Sequence, residues 1–448
     1  MKMMVRAKIN TGAIAMGVAG AILAGAVAGI GAPHAKQPSA PSAAPRLRQE
    51  HPAGCYLIWG KRDLVRTCDF LKGGQIMVQW RDIAPARGKF DWSKLDDGLR
   101  FFAKIGRPTT VQVNANDKKP DWLWDYVANC GNNRGVIPQY WDPRYIAIQK
   151  ELIVALADHL KASPHRHLIL CVRASPNAIG TEHMWVLPAD RSPSDTWIYP
   201  PDGHRCPTPW TRGETSKKYY YTIMKAYMDA LMPEINVALR ANLFTQSYPD
   251  GRAQHLIDEG GWIFGTGSDI DPHGGQGYKS YEAVDLFSVQ MARSGKTKAY
   301  WENWGTVESH PNGISWNYWR CLMELHKGVS YVAVKGWAVR ASLKNPEYRP
   351  TFEFVNRYAG FHTSPAESPG VWCALRQGKE RPRGNYGWFL EQIDPDGTSV
   401  AVESDRGKKI IGSDEQRFGR FARRTDVASG KREFFFRLDP RFRDSIRR

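Results

Sequence analysis

Read in order, "GQIMVQW" (residues 74–80), "WSKLDDGLRFFAKIG" (92–106) and "PTTVQVN" (108–114) form a strand, a helix and a second strand. The outer two are short apolar or alternating runs of strand length. The middle one places Leu95, Leu99 and Phe102 three and four residues apart, the spacing of an amphipathic helix. The architecture depends on how often this unit recurs.

It recurs along most of the chain. Further strands are predicted at "CYLIWG" (55–60), "HLILCVRA" (167–174), "NVALRANLF" (236–244), "GWIFGTG" (261–267), "TKAYWEN" (297–303) and "VSYVAVKGW" (329–337). Helices are predicted at "DPRYIAIQKELIVALADHLKA" (142–162), "SKKYYYTIMKAYMDALM" (216–232), "YEAVDLFSVQMARSG" (281–295) and "NYWRCLMELHKG" (317–328). Eight strands with intervening helices over about 290 residues is the count of a closed (β/α)8 barrel, the TIM barrel of the α/β class. An open doubly wound sheet competes with it, but no Gly-rich phosphate loop follows any strand. The barrel is predicted over 53–345.

After it, "FEFVNRYAGFHTSPAESPGVWCALRQ" (352–377), "TSVAVES" (398–404) and "KREFFFRLDPRF" (431–442) carry turns and short apolar segments, read as a β-rich, sandwich-like region over 365–448. It is shorter than the roughly 100 residues a sandwich takes, so its fold is either incomplete or finished against the barrel.

The N-terminus has Lys2, Arg6 and Lys8 before "TGAIAMGVAGAILAGAVAGIGA" (11–32), an apolar run too rich in Ala and Gly for a permanent anchor. It reads as an export signal over 1–35, with "KQPSAPSAAP" (36–45) in a flexible leader over 36–52, so the protein is expected to be secreted or periplasmic. A membrane is a partner only if that segment is not cleaved. Seven Cys are scattered without CxxC spacing, which argues against a zinc site, while export permits disulfides whose pairing the sequence does not give.

The net charge of +17 is unevenly placed. Residues 1–50 hold six Lys or Arg and one acid, and residues 406–448 hold fourteen and six; the remainder, 42 against 38, is nearly balanced. Attraction to an acidic polymer therefore points to the C-terminal tail, from "RFGRFARR" to "DPRFRDSIRR". No nucleic-acid module is recognisable, and no specific nucleic acid is expected. The 17 Trp and 18 Tyr offer flat faces suited to stacking on sugar rings as well as to core packing.

In a (β/α)8 barrel, reactive side chains stand at the C-terminal ends of the strands. That rule selects Glu302, at the end of the seventh strand, and Glu182, just past the fourth. Asp269 and Asp271 follow the sixth in a D-x-D-x-H pattern, but with no further ligands nearby they read as loop caps, and no metal or cofactor is expected. Asn114 and Asn116, ending the third strand, and His183 and Tyr300, flanking the acids, are candidate substrate contacts. Trp301 is expected to shape and dry the pocket.

The residues then resemble a known family. "MVQWRDIAPARGKFDWSKLDDGLRFFAKIGRP" (77–108), "PDWLW" (120–124), a fourth-strand acid, a seventh-strand acid and "NGISWNYWRCLMELHKGVSYVAVKGW" (312–337) are similar in order and spacing to clan A retaining glycoside hydrolases, nearest to the family 42 β-galactosidase type. The resemblance spans about residues 53–340. It implies Glu182 as general acid/base, Glu302 as nucleophile and Trp337 as the floor of the sugar subsite. A retaining mechanism would hold the two carboxyl groups about 5 to 5.5 Å apart. Thr181 stands where clan members place Asn, so a contact to the sugar 2-hydroxyl is not implied; Ala84-Pro85 replaces the usual Glu-Pro, and the zinc-binding cysteines of some relatives are missing.

The expected function is that of an exported retaining β-glycoside hydrolase acting on a poly- or oligosaccharide, a galactan among the options. The alternatives are a glycan-binding barrel without catalysis, for which Thr181 argues, and a basic surface protein holding acidic polymers by its tail.

Overall fold

In the computed structural model, residues 50–115, 118–132, 135–174, 197–209, 214–240, 252–265, 291–303, 313–375, 386–403 and 421–445 are described. The export signal, Glu182, His183, Asn116, Asp269, Asp271 and most of the helix expected over 281–295 lie outside them. Among the described residues, no helix is long and apolar enough to cross a membrane.

Eight parallel strands follow the chain: β1 (Gly54–Ile58), β2 (Gly74–Gln79), β3 (Thr109–Asn114), β4 (Ile169–Arg173), β5 (Val237–Arg240), β6 (Trp262–Gly265), β7 (Ala299–Asn303) and β8 (Tyr331–Lys335). Each pairs with its sequence neighbour from β2 to β8, and β8 returns to pair with β1. The ring is joined by a bridge between Tyr56 and Gly73, with Leu57 N donating to Gly73 O at 2.9 Å and Lys72 N to Cys55 O at 2.7 Å. Helices alternate with the strands, among them Ser93–Ile105, Pro143–Ala162, Glu214–Leu231 and Gly313–His326. This is the (β/α)8 barrel that the strand count predicts.

The pleat explains why these sequences make a barrel. Successive strand side chains point to opposite faces. Ile76, Val78, Val111, Val113, Val172, Val237, Leu239, Ile263, Val332 and Val334 all fall on the outer face, where they join Leu95, Leu99, Phe102, Leu152 and Leu156 of the helices in one core. The alternate positions point inward. Tyr56, Cys171, Trp262, Phe264, Tyr300, Tyr331 and Ala333 fill the barrel, with Trp262 stacked on Tyr331 at 5.2 Å between ring centroids. Polar inward residues meet one another: Gln75 Nε2 donates to Gln112 Oε1 at 3.0 Å.

The barrel layer extends past the predicted boundary of residue 345. Helix Arg349–Tyr358 packs under β1, where Asn356 Oδ1 accepts from Cys55 N at 2.8 Å and its Nδ2 donates to Phe70 O at 2.6 Å. Phe352, Val355 and Tyr358 at three-residue spacing bury its inner face. Beyond it, the described residues form two-stranded antiparallel pairs: Trp372–Ala374 with Tyr386–Trp388, Leu390–Ile393 with Phe435–Leu438, and Val400–Glu403 with Phe421–Arg424. They do not assemble into one sandwich sheet. The first pair leans on the barrel side, where Trp372 stacks on Trp388 beside Tyr358 and His326 shares hydrogen bonds with Gly387. An unforeseen hairpin, Asn129–Asn132 with Gly135–Pro138, follows β3. Cys55, Cys68, Cys171, Cys206 and Cys373 are thiols.

Candidate active site

Glu302 is the inward residue at the C-terminal end of β7, with no solvent exposure. Its register partner on β8 is Ala333, whose small side chain leaves the carboxylate room at the barrel centre. Two donors converge on one of its oxygens. Arg173, ending β4, donates from Nη2 to Oε1 at 2.7 Å, and Trp59, just past β1, donates from Nε1 to the same oxygen at 3.2 Å. Arg173 is as completely buried as Glu302.

The aromatic surroundings hold the guanidinium in place. Arg173 Cζ lies 4.0 Å from the Phe264 ring centroid and 5.7 Å from that of Tyr300, so the cation rests on π-faces while its edge meets the carboxylate. A charge pair out of water stands only when its hydrogen bonds are made, and here the guanidinium supplies one to the carboxylate at 2.7 Å. Burial pushes the Tyr300 phenol well up, so it stays neutral. The inward Cys171 thiol is pushed up to about 12 by burial, so it stays protonated and offers no competing nucleophile.

Trp59 reaches Glu302 through an uncommon backbone. Its φ of 49° lies in the left-handed region, which a bulky residue rarely occupies. Its backbone N–H donates to Gln75 Oε1 at 3.2 Å, which ties it to β2. The following Gly60 lies against Gly336 at the end of β8; a Cβ on Gly60 would stand 2.8 Å from the Gly336 Cα. Two side-chain-free residues thus let the β1 and β8 ends come close together. Strain of this kind collects where a side chain must be aimed.

The other expected site residues fall in different places. Asn114 is inward at the end of β3 and nearly buried, and its Oδ1 has no hydrogen-bond partner, so a polar group faces the barrel interior unsatisfied. Tyr300 is inward, one layer below Glu302. Trp301 is not in the pocket. Alternation turns it outward, into the helix-side core, where a Cβ on Gly265 would run into its indole. Trp337 likewise packs against the helix-side core, because β8 stops at Lys335 and a helix, Gly336–Lys344, starts at once. Among the described residues, the tryptophan bonded to Glu302 is Trp59. Neither Trp59 nor Arg173 was singled out by sequence; the available signals were a charged residue closing an apolar strand and a Trp-Gly pair at a strand end.

Among the described residues no His, Cys, Asp and Glu cluster could hold a metal ion. No family model matches the chain, and no curated protein does. The chain is similar in fold to solved structures of carbohydrate-active enzymes. The catalytic domain of a β-amylase from Paenibacillus polymyxa is 11% identical, with 63% of this chain and 91% of that one covered at a TM-score of 0.41. Endo-glycoceramidase II from Rhodococcus sp. is 12% identical over 64% and 73% of the two chains, also at 0.41. An exo-β-1,4-mannosidase from Opitutaceae bacterium strain TAV5 is 13% identical over 70% and 60%, at 0.42. Likeness of this degree carries no argument about activity, and the barrel assignment rests on the strand order itself.

Proposed function

We propose that the protein is an exported retaining β-glycoside hydrolase of the family 42 type, with Glu302 as nucleophile and Glu182 as general acid/base. The observation that carries this reading is Glu302 itself: a carboxylate inward at a strand C-terminal end, held at the barrel centre by Arg173 and Trp59. In such a mechanism Glu302 attacks the anomeric carbon while Glu182 protonates the leaving oxygen, then deprotonates the water that releases the sugar. Arg173 pairs with the attacking group and fixes its rotamer. Trp59 holds the same oxygen, leaving the carboxylate's aim set from two sides. Asn114 supplies an unsatisfied amide for a sugar hydroxyl.

Complete burial of both Glu302 and Arg173 favours a second reading, a barrel that binds glycan without cleaving it. One experiment separates them. The full chain and its Glu302→Ala variant are incubated with a panel of plant, algal and microbial polysaccharides and aryl β-glycosides, and reducing-end release is measured. Release by the parent that falls by several orders of magnitude in the variant supports hydrolysis. Binding without release, or equal release by both proteins, overturns it.

A further inference from the structure

The ring of strands is joined at β1 and β2 only low on the wall. Past Leu57 the described link between them is the Trp59 N–H to the Gln75 side chain. A groove of about 550 Å³ opens at this seam. Met77, 38% exposed although it lies on a barrel strand, and Trp59 are among the residues that line it. Trp59, one of the lining residues, is also the residue whose indole N–H donates to Glu302 at 3.2 Å, so the groove and the carboxylate share a side of the barrel.

Its charge is one-sided. Of ten lining residues four are cations, Lys61, Arg62, Lys94 and Arg340, and none is an acid. The general excess of basic residues does not explain this, because residues 51–405 are nearly balanced. Lys94 is paired with Asp82 at 2.9 Å, and Asp63 nearby pairs with Arg66. Arg62 rests over the Phe101 ring at 5.0 Å. Lys61 and Arg340 make no ion pair among the described residues. Three exposed cations beyond the Lys94–Asp82 pair around one concavity give it a positive potential that favours an anion at low salt.

We propose that the seam groove is a subsite for an anionic substituent, carboxylate or sulfate, on the saccharide whose reacting bond lies at Glu302. This rests on the reading of Glu302 as the saccharide site and adds the substrate's charge class. Arg62 and Arg340 offer planar forks suited to either oxyanion, and Lys61 adds a point charge.

The test is a binding measurement, which keeps the subsite separate from catalysis. Oligogalacturonate, a sulfated galactan oligosaccharide and neutral galacto-oligosaccharide are titrated calorimetrically into the full chain. The same is done for Lys61→Gln/Arg340→Gln and for a charge-matched control, Arg432→Gln/Arg437→Gln. At least one anionic ligand binds the parent about tenfold more tightly than the neutral one, a preference that weakens with salt and is lost in the groove variant but kept in the control. Which ligand does so assigns carboxylate or sulfate. No preference for charge, or equal losses in the two variants, overturns the subsite. If the preference behaves as described while Glu302→Ala cleaves as fast as the parent, the subsite stands and the hydrolase reading falls.

Discussion

Arg173 and Glu302 meet at 2.7 Å across the barrel, from strands 129 residues apart in sequence, with neither side chain touching water. Removing one partner of such a pair leaves the other charged and buried, which costs about 3–5 kcal/mol, whereas replacing both by apolar groups can cost far less. Arg173→Met and Glu302→Leu are each expected to lower the urea midpoint sharply, and the double variant to recover most of the loss. Additive losses in the cycle would show that the pair does not act as a unit.

Trp59 tests the same carboxylate from the other side. Trp59→Phe keeps an aromatic ring but removes the N–H, a hydrogen bond to a charged acceptor worth about 1.5–3 kcal/mol. Tm falls by a few degrees, and if that bond is tighter in the transition state kcat falls as well, by about tenfold. A fall in Tm with unchanged kcat would make Trp59 a packing residue.

Glu324 gives a stability prediction unconnected to the site. It lies on helix Gly313–His326, wholly buried, with Arg320 Nε 3.8 Å from Oε1 and no hydrogen bond to either carboxyl oxygen. Burial pushes its carboxyl up to about 8, outweighing the opposite pull of Arg320 and Lys327. A folded value above the unfolded one means that the folded state holds the proton more tightly. The stability contribution is complete below about 4.5, declines as pH rises, and is lost by about 8. Unfolding free energy measured across that window should fall with pH in the parent and fall less steeply in Glu324→Gln. Equal slopes would place the ionisation elsewhere.

The barrel was legible because its signal is repetitive. Outward positions such as Ile76 and Val78, or Val332 and Val334, are aliphatic and two residues apart, and between the strands Leu95, Leu99 and Phe102 mark the helical period. Glu302 was legible from its place at a strand end. Its partners were not, because Arg173 and Trp59 reach it across 129 and 243 residues, and nothing local distinguishes a paired arginine from one leaving a strand. Adjacency in sequence misplaced Trp301: a neighbour of an inward residue on a strand must point outward. Helix Arg349–Tyr358 carried its own three-residue apolar spacing, but the turns that follow it drew the region into the β-rich end.

In the proposed mechanism Glu302 forms the covalent glycosyl intermediate. The direct measurement is intact-mass and peptide mapping after incubation with a 2,4-dinitrophenyl 2-deoxy-2-fluoro-β-glycoside of whichever sugar the panel shows to be cleaved, since the fluorine slows release more than formation of the intermediate. One added fluoroglycosyl group per chain is expected, on the peptide containing "AYWENW" (299–304), at Glu302, and none on the Glu302→Ala variant. Labelling at another carboxylate, or efficient turnover by Glu302→Ala, would contradict it.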